Sequence, residues 1–526
     1  MSRSITVCGG YYVDLRTDLR LAIRYWNTGS FKPIMGKYEW VPDFLQLIAM
    51  ANAQHTLTQQ PVDMTYDCET VGLDEYRLPD LHHPGAFIVT QQFTVKKEMA
   101  HVKRFYSRPE ETEHFQNPNW LEQMEFLFNC PWIRMKGANM KFDLRWLYVR
   151  SNQKIICSNF SFDTTMVGSL LNENRSNALD VHTKIYCPRL AGYSDEFDRN
   201  VDKDRMDLVP DEAMLPYAGG DTDACYEVAE QMKTQLLQDP ALTSFYCNIL
   251  HPASRAFEDL ENGGAFIDRE AFKELESELL TAHIQNVSEA RKIMGGILWA
   301  RHSDDSRPGS MNLTKKSMLV DFLFSPNGLN LKPKMFTAKP DKSGAKVPST
   351  AMEHLLMFSD HPTAGPFIKI VEEDSSVMKT HDTYVSGFLQ CLRPDGRFHP
   401  SYFLFVGNKD EGEGGAVTGR LSCHDPAMQV IPKHTKWAKP IRRCFVAPPG
   451  YVIMERDYSQ GELRVVACIS NCGNMILVYK QGGDLHVRTG ARAAKITPEQ
   501  LMALKKLDKE AYDAHRQKGK AGNAWY

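Results

Sequence analysis

One run near the end of the chain restricts its local fold more than any other stretch. Val452, Ile453 and Met454 are apolar, Glu455 and Arg456 follow, and then comes Asp457-Tyr458-Ser459-Gln460-Gly461-Glu462-Leu463-Arg464. The pattern predicts a buried strand that ends in a carboxylate, then a turn into a helix. A carboxylate at the end of a rigid strand is well placed to hold a divalent metal ion. The helix would bring Glu462 and Arg464 close to it.

The rest of the chain must supply several cores. At 526 residues it is too long for a single one, and about three or four domains are expected. The formal net charge of -3 carries no sign of a polyanion binder, so any basic surface must be local and offset elsewhere. The 12 cysteines are scattered without zinc spacing, which points to reduced, mostly buried thiols. The first residues lack the apolar core and cleavage pattern of a signal peptide, and no apolar run reaches membrane-spanning length. A cytoplasmic protein is expected.

Before about residue 60 the pattern is mixed and carries no readable motif. From Val62 to about residue 235, short apolar strands alternate with helices, which predicts an α/β domain. Cys187 to Pro216 reads as a charged loop. A helical region starts near Leu250. Within it, the stretch from Arg301 to Pro348 carries Lys315, Lys316, Lys332, Lys334, Lys339, Lys342 and Lys346 against Asp321 and Asp341. Strand-like sequence returns near Lys379, and the last forty residues are basic and helical in character.

Met64-Thr65-Tyr66-Asp67-Cys68-Glu69-Thr70 sets two carboxylates two residues apart. On a strand both face the same side, an arrangement that is unfavourable unless a cation neutralises it. Two later segments extend the pattern. In Lys136 to Trp146, apolar and aromatic residues flank Asp143. In Tyr217-Ala-Gly-Gly-Asp221-Thr-Asp223, Tyr217 and Asp221 are one helical turn apart. Asp223 points elsewhere on that helix and reads as a surface charge.

Together, and in this order, the three segments resemble the motifs of the DnaQ-like 3'–5' exonuclease domain as fused in family A DNA polymerases. Phe162-Asp163-Thr164 and Leu171 to Leu179 resemble the stretch between the second and third motifs. The resemblance implies two Mg2+ ions held by Asp67, Glu69, Asp143 and Asp221. It also implies that Tyr217 orients the attacking water and that Asn139 contacts the terminal nucleotide. Two cations about 3.5–4 Å apart suit phosphodiester hydrolysis.

Downstream, Glu261 to Asp268 resembles the start of the family's thumb, and Gly309 to Phe324 with Pro348-Ser349-Thr350 its tip and descent. The lysine enrichment suits contacts with DNA phosphates. Thr418-Gly419-Arg420-Leu421-Ser422 resembles the opening of the polymerase signature. Pro426-Ala-Met-Gln429-Val430-Ile431-Pro432 follows, with Val430 where the family usually has Asn. The run opened by Val452 resembles the first catalytic metal motif. In that reading Asp457 and the Tyr458 carbonyl hold Mg2+, and Glu462 discriminates against a 2'-hydroxyl. His486 lies near the nucleotide phosphates, and Arg516 and Lys520 grip the triphosphate. Arg420 and Gln429 are assigned to the nucleotide and DNA.

The resemblance implies an α/β multidomain protein of phage-like layout. Residues 1–61 are expected to form an N-terminal region and 62–235 an RNase H-like exonuclease domain. Residues 236–394 would form a helical thumb, and 395–526 a partial palm with the start of the fingers. The match fades at Gly522, with Ala524, Trp525 and Tyr526 where a stacking aromatic residue, Gly and Tyr are usual. The second polymerase metal motif, a His-Asp-Glu hairpin, is absent from the sequence; His381-Asp382 and His424-Asp425 match other parts of the family. The chain is therefore expected to be the N-terminal portion of a replicative polymerase, truncated within the fingers by an intron, frameshift or split reading frame. It would act on primer-template DNA, with dNTPs as substrates of the whole enzyme, in a bacterial host's cytoplasm if phage-encoded. It would be exonuclease-competent and polymerase-incompetent alone. Two other readings stay open: a non-catalytic DNA-binding half that docks a second polypeptide carrying the missing palm, and a stand-alone nuclease with a vestigial palm.

Overall fold

Residues Val62–Val71 form the strand that organises the larger part of the molecule. The computed structural model describes residues 19–20, 22–27, 29–30, 32–72, 85–302, 311–337, 346–405, 415–416, 418–433 and 435–523. The chain divides into two compact units, residues 1–448 and 449–526.

The first unit is built on a mixed six-stranded sheet of order β1-β4-β3-β2-β5-β6. Its strands are β1 (Lys37–Trp40), β2 (Val62–Val71), β3 (Phe87–Lys96), β4 (Met99–Arg104), β5 (Ile133–Gly137) and β6 (Phe160–Asp163). β2 pairs antiparallel with β3 and parallel with β5. Alternation along β2 sends Met64, Tyr66 and Cys68 into the core while Asp67 and Glu69 are only partly buried. On the core side, helices α1 (Leu45–Thr58) and α2 (Pro118–Asn129) supply Leu47 and Phe128. The Tyr66 ring meets Phe128 edge-on at 4.9 Å, and Phe44 meets Phe93 at 4.7 Å. Each such buried aromatic contributes roughly 1.5–3 kcal/mol.

β1 and α1 belong to this sheet and core. Residues 37–58 are therefore integral to the α/β domain, and its lower boundary lies upstream of the expected residue 62. No motif announced this, because β1 is a four-residue edge strand whose pairing with β4 is set by tertiary structure.

Helix α3 (Lys141–Arg150) follows β5, and α4 (Thr164–Leu171) follows β6. Asp163 joins the two: its carboxylate accepts from the backbone N–H of Thr165 and Met166 at the start of α4, and from those of Asn139 and Met140 before α3. The segment expected to be a charged loop contains helix α5 (Asp195–Asn200) and a 3-10 turn at Lys203–Leu208. Helix α6 (Asp211–Leu236) begins before its Pro216 and crosses the sheet. The Thr65 hydroxyl donates to the Thr222 carbonyl at 2.9 Å, and Thr94 to the Thr222 hydroxyl at 3.0 Å. Gly219 permits this approach: a Cβ there would lie 2.6 Å from the Tyr38 ring.

Helix α7 (His251–Gly263) leads to β7 (Ala265–Phe266) and the long helix α8 (Arg269–Met294), capped by Asp268. α8 packs on α9 (Ala364–Thr380) through the buried pair His283–Asp374, 2.8 Å apart. β7 pairs with β8 (Arg397–Phe398), and β9 (Ser401–Phe403) pairs with β10 (Ser422–His424). A buried junction ties this region to α3. Lys141 bonds to both Glu261 on α7 and the Tyr402 carbonyl, while Glu261, 1% exposed, accepts the Tyr402 N–H at 2.6 Å.

The second unit holds helices α10 (Gly461–Ile469), α11 (Gly473–Lys480), α12 (Leu485–Ala493), α13 (Pro498–Leu507) and α14 (Lys509–Asn523). Its small core comprises Val487, Ala491, Leu501 and Tyr512. The expected buried strand before Asp457 does not form. Val452, Ile453 and Met454 are 85%, 65% and 71% exposed, and no strand pairs with them among the described residues. An apolar run becomes a strand only when a neighbour satisfies its backbone.

Candidate active site: a carboxylate cleft

Asp67 and Glu69 share one face of β2, and α6 carries Tyr217 and Asp221 one turn apart. Oxygens of Asp67, Glu69 and Asp221 all lie within 4.8 Å of one another. They line a cleft of ≈ 380 Å³ together with Asn139, Asp143, Tyr193, Asp198, Lys203 and Tyr217. Hard oxygen donors at this spacing suit a divalent cation such as Mg2+ or Mn2+.

Asp143 lines the same cleft but is turned toward the strand. Its Oδ1 accepts the Cys68 N–H at 3.0 Å and the Cys68 thiol at 3.2 Å. The sequence grouped four carboxylates; the structure gathers three and holds the fourth on β2's backbone. Asn139 adopts a left-handed backbone, φ 53°, which places it at the cleft between β5 and α3.

Burial and mutual repulsion raise the carboxylates of the cleft. Burial, then repulsion from Asp143, Glu69 and Asp221, pushes Asp67 well above the ordinary carboxylate range. Burial, then Asp221, does the same to Glu69, with Lys203 opposing. Burial raises Asp143 to about 7 against the hydrogen bonds from Cys68. Asp221 rises to about 6, again by burial, with Tyr193 and Lys203 opposing.

Three participants were not read from the sequence. Gln92 stands opposite Asp67 in the β2–β3 register and donates to Asp67 at 2.7 Å and to Glu69 at 3.4 Å. Tyr193 donates its hydroxyl to Asp221, and its ring lies over Gly220, where a Cβ would approach to 2.6 Å. Phe197 on α5 stacks on Tyr217. Strand register and irregular backbone decide these positions, and neither leaves a periodic trace.

Asp223, expected at the surface, is fully buried. It does point away from Asp221, but into a polar network. It accepts from Tyr38 at 2.7 Å, the Glu98 N–H at 2.8 Å and Arg189 at 2.6 Å.

Residues 43–237 match a family model described as 3'-5' exonuclease, and residues 300–513 match one described as DNA polymerase family A. Over these stretches the chain is similar to DNA polymerase family A and to 3'-5' exonucleases. DNA polymerase I of Chloroflexus aurantiacus is 28% identical over 363 residues, covering 68% of this chain and 35% of that protein. DNA polymerase I of Pseudomonas aeruginosa is 24% identical over 442 residues, covering 83% of this chain and 44% of the relative. The chain thus spans under half the length of these relatives. A solved structure titled as the POL domain of Pol1 from M. smegmatis, in complex with DNA primer-template and dNTP, superposes with a TM-score of 0.65. That alignment has 19% identity and covers 92% of this chain and 70% of the other, which establishes a shared fold.

The residues of the polymerase resemblance are distributed over both units. In the first, Arg420 is exposed just before β10, and Gln429 is exposed in a 3-10 turn at Met428–Val430. Tyr384 donates to the Val430 carbonyl at 2.8 Å, which ties that turn to the helical region. In the second, Asp457, Tyr458 and Glu462 are exposed around the start of α10. Gln460, in a left-handed conformation, accepts from Tyr479 and from the Leu485 N–H at 3.2 Å each. Asp484 caps α12 and binds Arg516 at 2.9 Å. Arg516 is thus already held by a carboxylate, whereas Lys520, one turn further on α14, is exposed. His486 meets Asn523 at 3.1 Å, and burial pushes its imidazole below its ordinary range. Lys315, Lys316, Lys332, Lys334 and Lys346 are exposed, while Gly309, Ser310, Lys339, Lys342, Ala524, Trp525 and Tyr526 lie outside the described residues. No helix of the described residues is long and apolar enough to cross a membrane.

Proposed function

We propose that this chain is a replicative, cytoplasmic family A polymerase polypeptide whose working site is the carboxylate cleft, a Mg2+-dependent 3'–5' exonuclease. The observation that carries the reading is the convergence of Asp67, Glu69 and Asp221 within 4.8 Å. In the reaction, water attacks the phosphorus of the terminal phosphodiester. The bond from phosphorus to the 3'-oxygen breaks, releasing a nucleoside 5'-monophosphate and leaving a new 3'-hydroxyl. Bound Mg2+ would supply Lewis-acid stabilisation of the attacking and leaving oxygens.

The chain's own residues do the rest. Asp67, Glu69 and Asp221 would hold the metal, Gln92 and Tyr193 fix their rotamers, and Asp143 completes the acidic wall. Tyr217 orients the water, and Asn139 contacts the terminal nucleotide. The exposed lysines of residues 315–346 hold duplex phosphates as a thumb would. In the polymerase half, Asp457 with the Tyr458 carbonyl would hold Mg2+ and Glu462 would face the incoming sugar. His486 and Lys520 would meet the dNTP phosphates, with Arg516 joining them on release from Asp484. The test is incubation with 5'-labelled single-stranded DNA and Mg2+. Stepwise release of mononucleotides is expected, and intact DNA would refute the reading.

A second reading has a specific observation behind it. The exposed run Val452–Met454 favours a second polypeptide that pairs with it as a neighbouring palm strand. Adding a polypeptide that carries a His-Asp-Glu hairpin should then restore primer extension. Extension by this chain alone would exclude it.

A further inference from the structure

Among the described residues lining the cleft, the carboxylates are Asp67, Glu69, Asp143, Asp180, Asp198 and Asp221, and Lys203 is the one Lys or Arg. A nucleic acid entering this cleft brings more negative charge, which the protein answers at one place.

We infer that Lys203, held by Asp198, grips a phosphate of the single strand next to the scissile bond. This rests on the exonuclease reading. Lys203 opens the 3-10 turn after α5, and its Nζ lies 2.7 Å from Asp198 Oδ1. The same Nζ stands 5.4 Å from the centre of the Tyr217 ring. Its side chain is half exposed, so the ammonium is reachable from solvent. An ammonium has three donors. Asp198 takes one, and the others are left for non-bridging phosphate oxygens. The charge of Lys203 also acts on Glu69 and Asp221, so it stands near the carboxylates that would flank the phosphate. Asp198 therefore positions Lys203, and Lys203 binds the substrate.

The competing role is purely internal: Lys203 only offsets the acidic cluster. The two differ in what a variant does. The probe is a 3'-hydroxyl deoxythymidine tetranucleotide, short enough to occupy the cleft alone. Its hydrolysis is measured with Mg2+ over a series of NaCl concentrations, and its binding with Ca2+. Lys203→Ala should keep the wild-type melting temperature. Its kcat/KM should fall about 10- to 100-fold, the loss of one charged hydrogen bond. The slope of log affinity against log salt should become shallower by about 0.7. Lys203→Arg should recover most of the loss, and Asp198→Asn should lose a part of it. An unchanged slope and kcat/KM in Lys203→Ala, or a shift confined to the Mg2+ midpoint, would overturn the inference. If the wild type hydrolyses nothing, the exonuclease reading fails, and the Ca2+ binding slope still decides whether Lys203 touches phosphate.

Discussion

The ring of Phe197 lies flat on that of Tyr217, centroids 3.8 Å apart and planes 7° from parallel. The stack fixes the direction of the Tyr217 hydroxyl without using a hydrogen bond. Phe197→Ala should therefore lower the hydrolysis rate about 10-fold through misplacement of that hydroxyl. Phe197→Tyr should retain the rate, and Tyr217→Phe should lose more than Phe197→Ala. Single-turnover rates on single-stranded DNA compare the three.

Removing one carboxylate from the triad leaves the other two unable to hold a cation in place. Asp67→Ala and Asp221→Ala should each reduce Mg2+-dependent hydrolysis by about 100-fold or more. The tetranucleotide should still bind in Ca2+, weakened by less. Residual nuclease at the wild-type rate would place the reaction elsewhere in the chain.

Stability of the metal-free protein should fall as pH rises from 6.5 to 8. Burial raises Asp143 to about 7 and Asp221 to about 6, so the native state keeps protons that the unfolded chain has released above about pH 4, and Asp143 carries the fall above pH 6.5. That stabilisation is complete at low pH and is lost as pH passes through the folded values. Buried His182 and His251, lowered by burial to about 3 and about 4, act in the opposite sense but only below about pH 6.5. Thermal melts at pH 6.5 and 8 should show the fall in wild type and a smaller one in Asp143→Asn. Mg2+ should raise the melting temperature more at pH 8 than at pH 6.5.

Asp223→Ala should destabilise the first unit by about 3–5 kcal/mol. The variant removes the shared acceptor of Tyr38, the Glu98 N–H and Arg189 and leaves a mostly buried guanidinium with less compensation. Asp223→Asn should lose less, since it keeps an acceptor oxygen. Urea midpoints order the two.

The cleft was legible where chemistry coincides with periodicity. Asp67 and Glu69 share a strand face because they are two apart, and Tyr217 and Asp221 share a helix face because they are four apart. Gln92, Tyr193 and Lys203 reach the same place through strand register and through the irregular segment after Cys187, where no period applies. Asp223 shows the limit from the other side. Helical geometry correctly turned it away from Asp221, but only the placement of β1 and Arg189 decides that the far side is interior. At Val452–Met454 composition favoured a strand, but pairing decides whether one forms.

The junction of Lys141, Glu261 and Tyr402 bears on how such a protein can be rearranged in evolution. Lys141 begins the helix that carries Asp143, and Tyr402 sits in the strand paired with Ser422–His424, just after the run that resembles the opening of the polymerase signature. Glu261, between them, is almost sealed from water. Cutting the chain between the first matched region and Glu261 would strand that carboxylate without its lysine. The exonuclease-like region is therefore not a cassette that recombination can lift out and replace. Any exchange must carry a matching lysine and strand with it, so the exonuclease-like and polymerase-like regions are constrained to be inherited together.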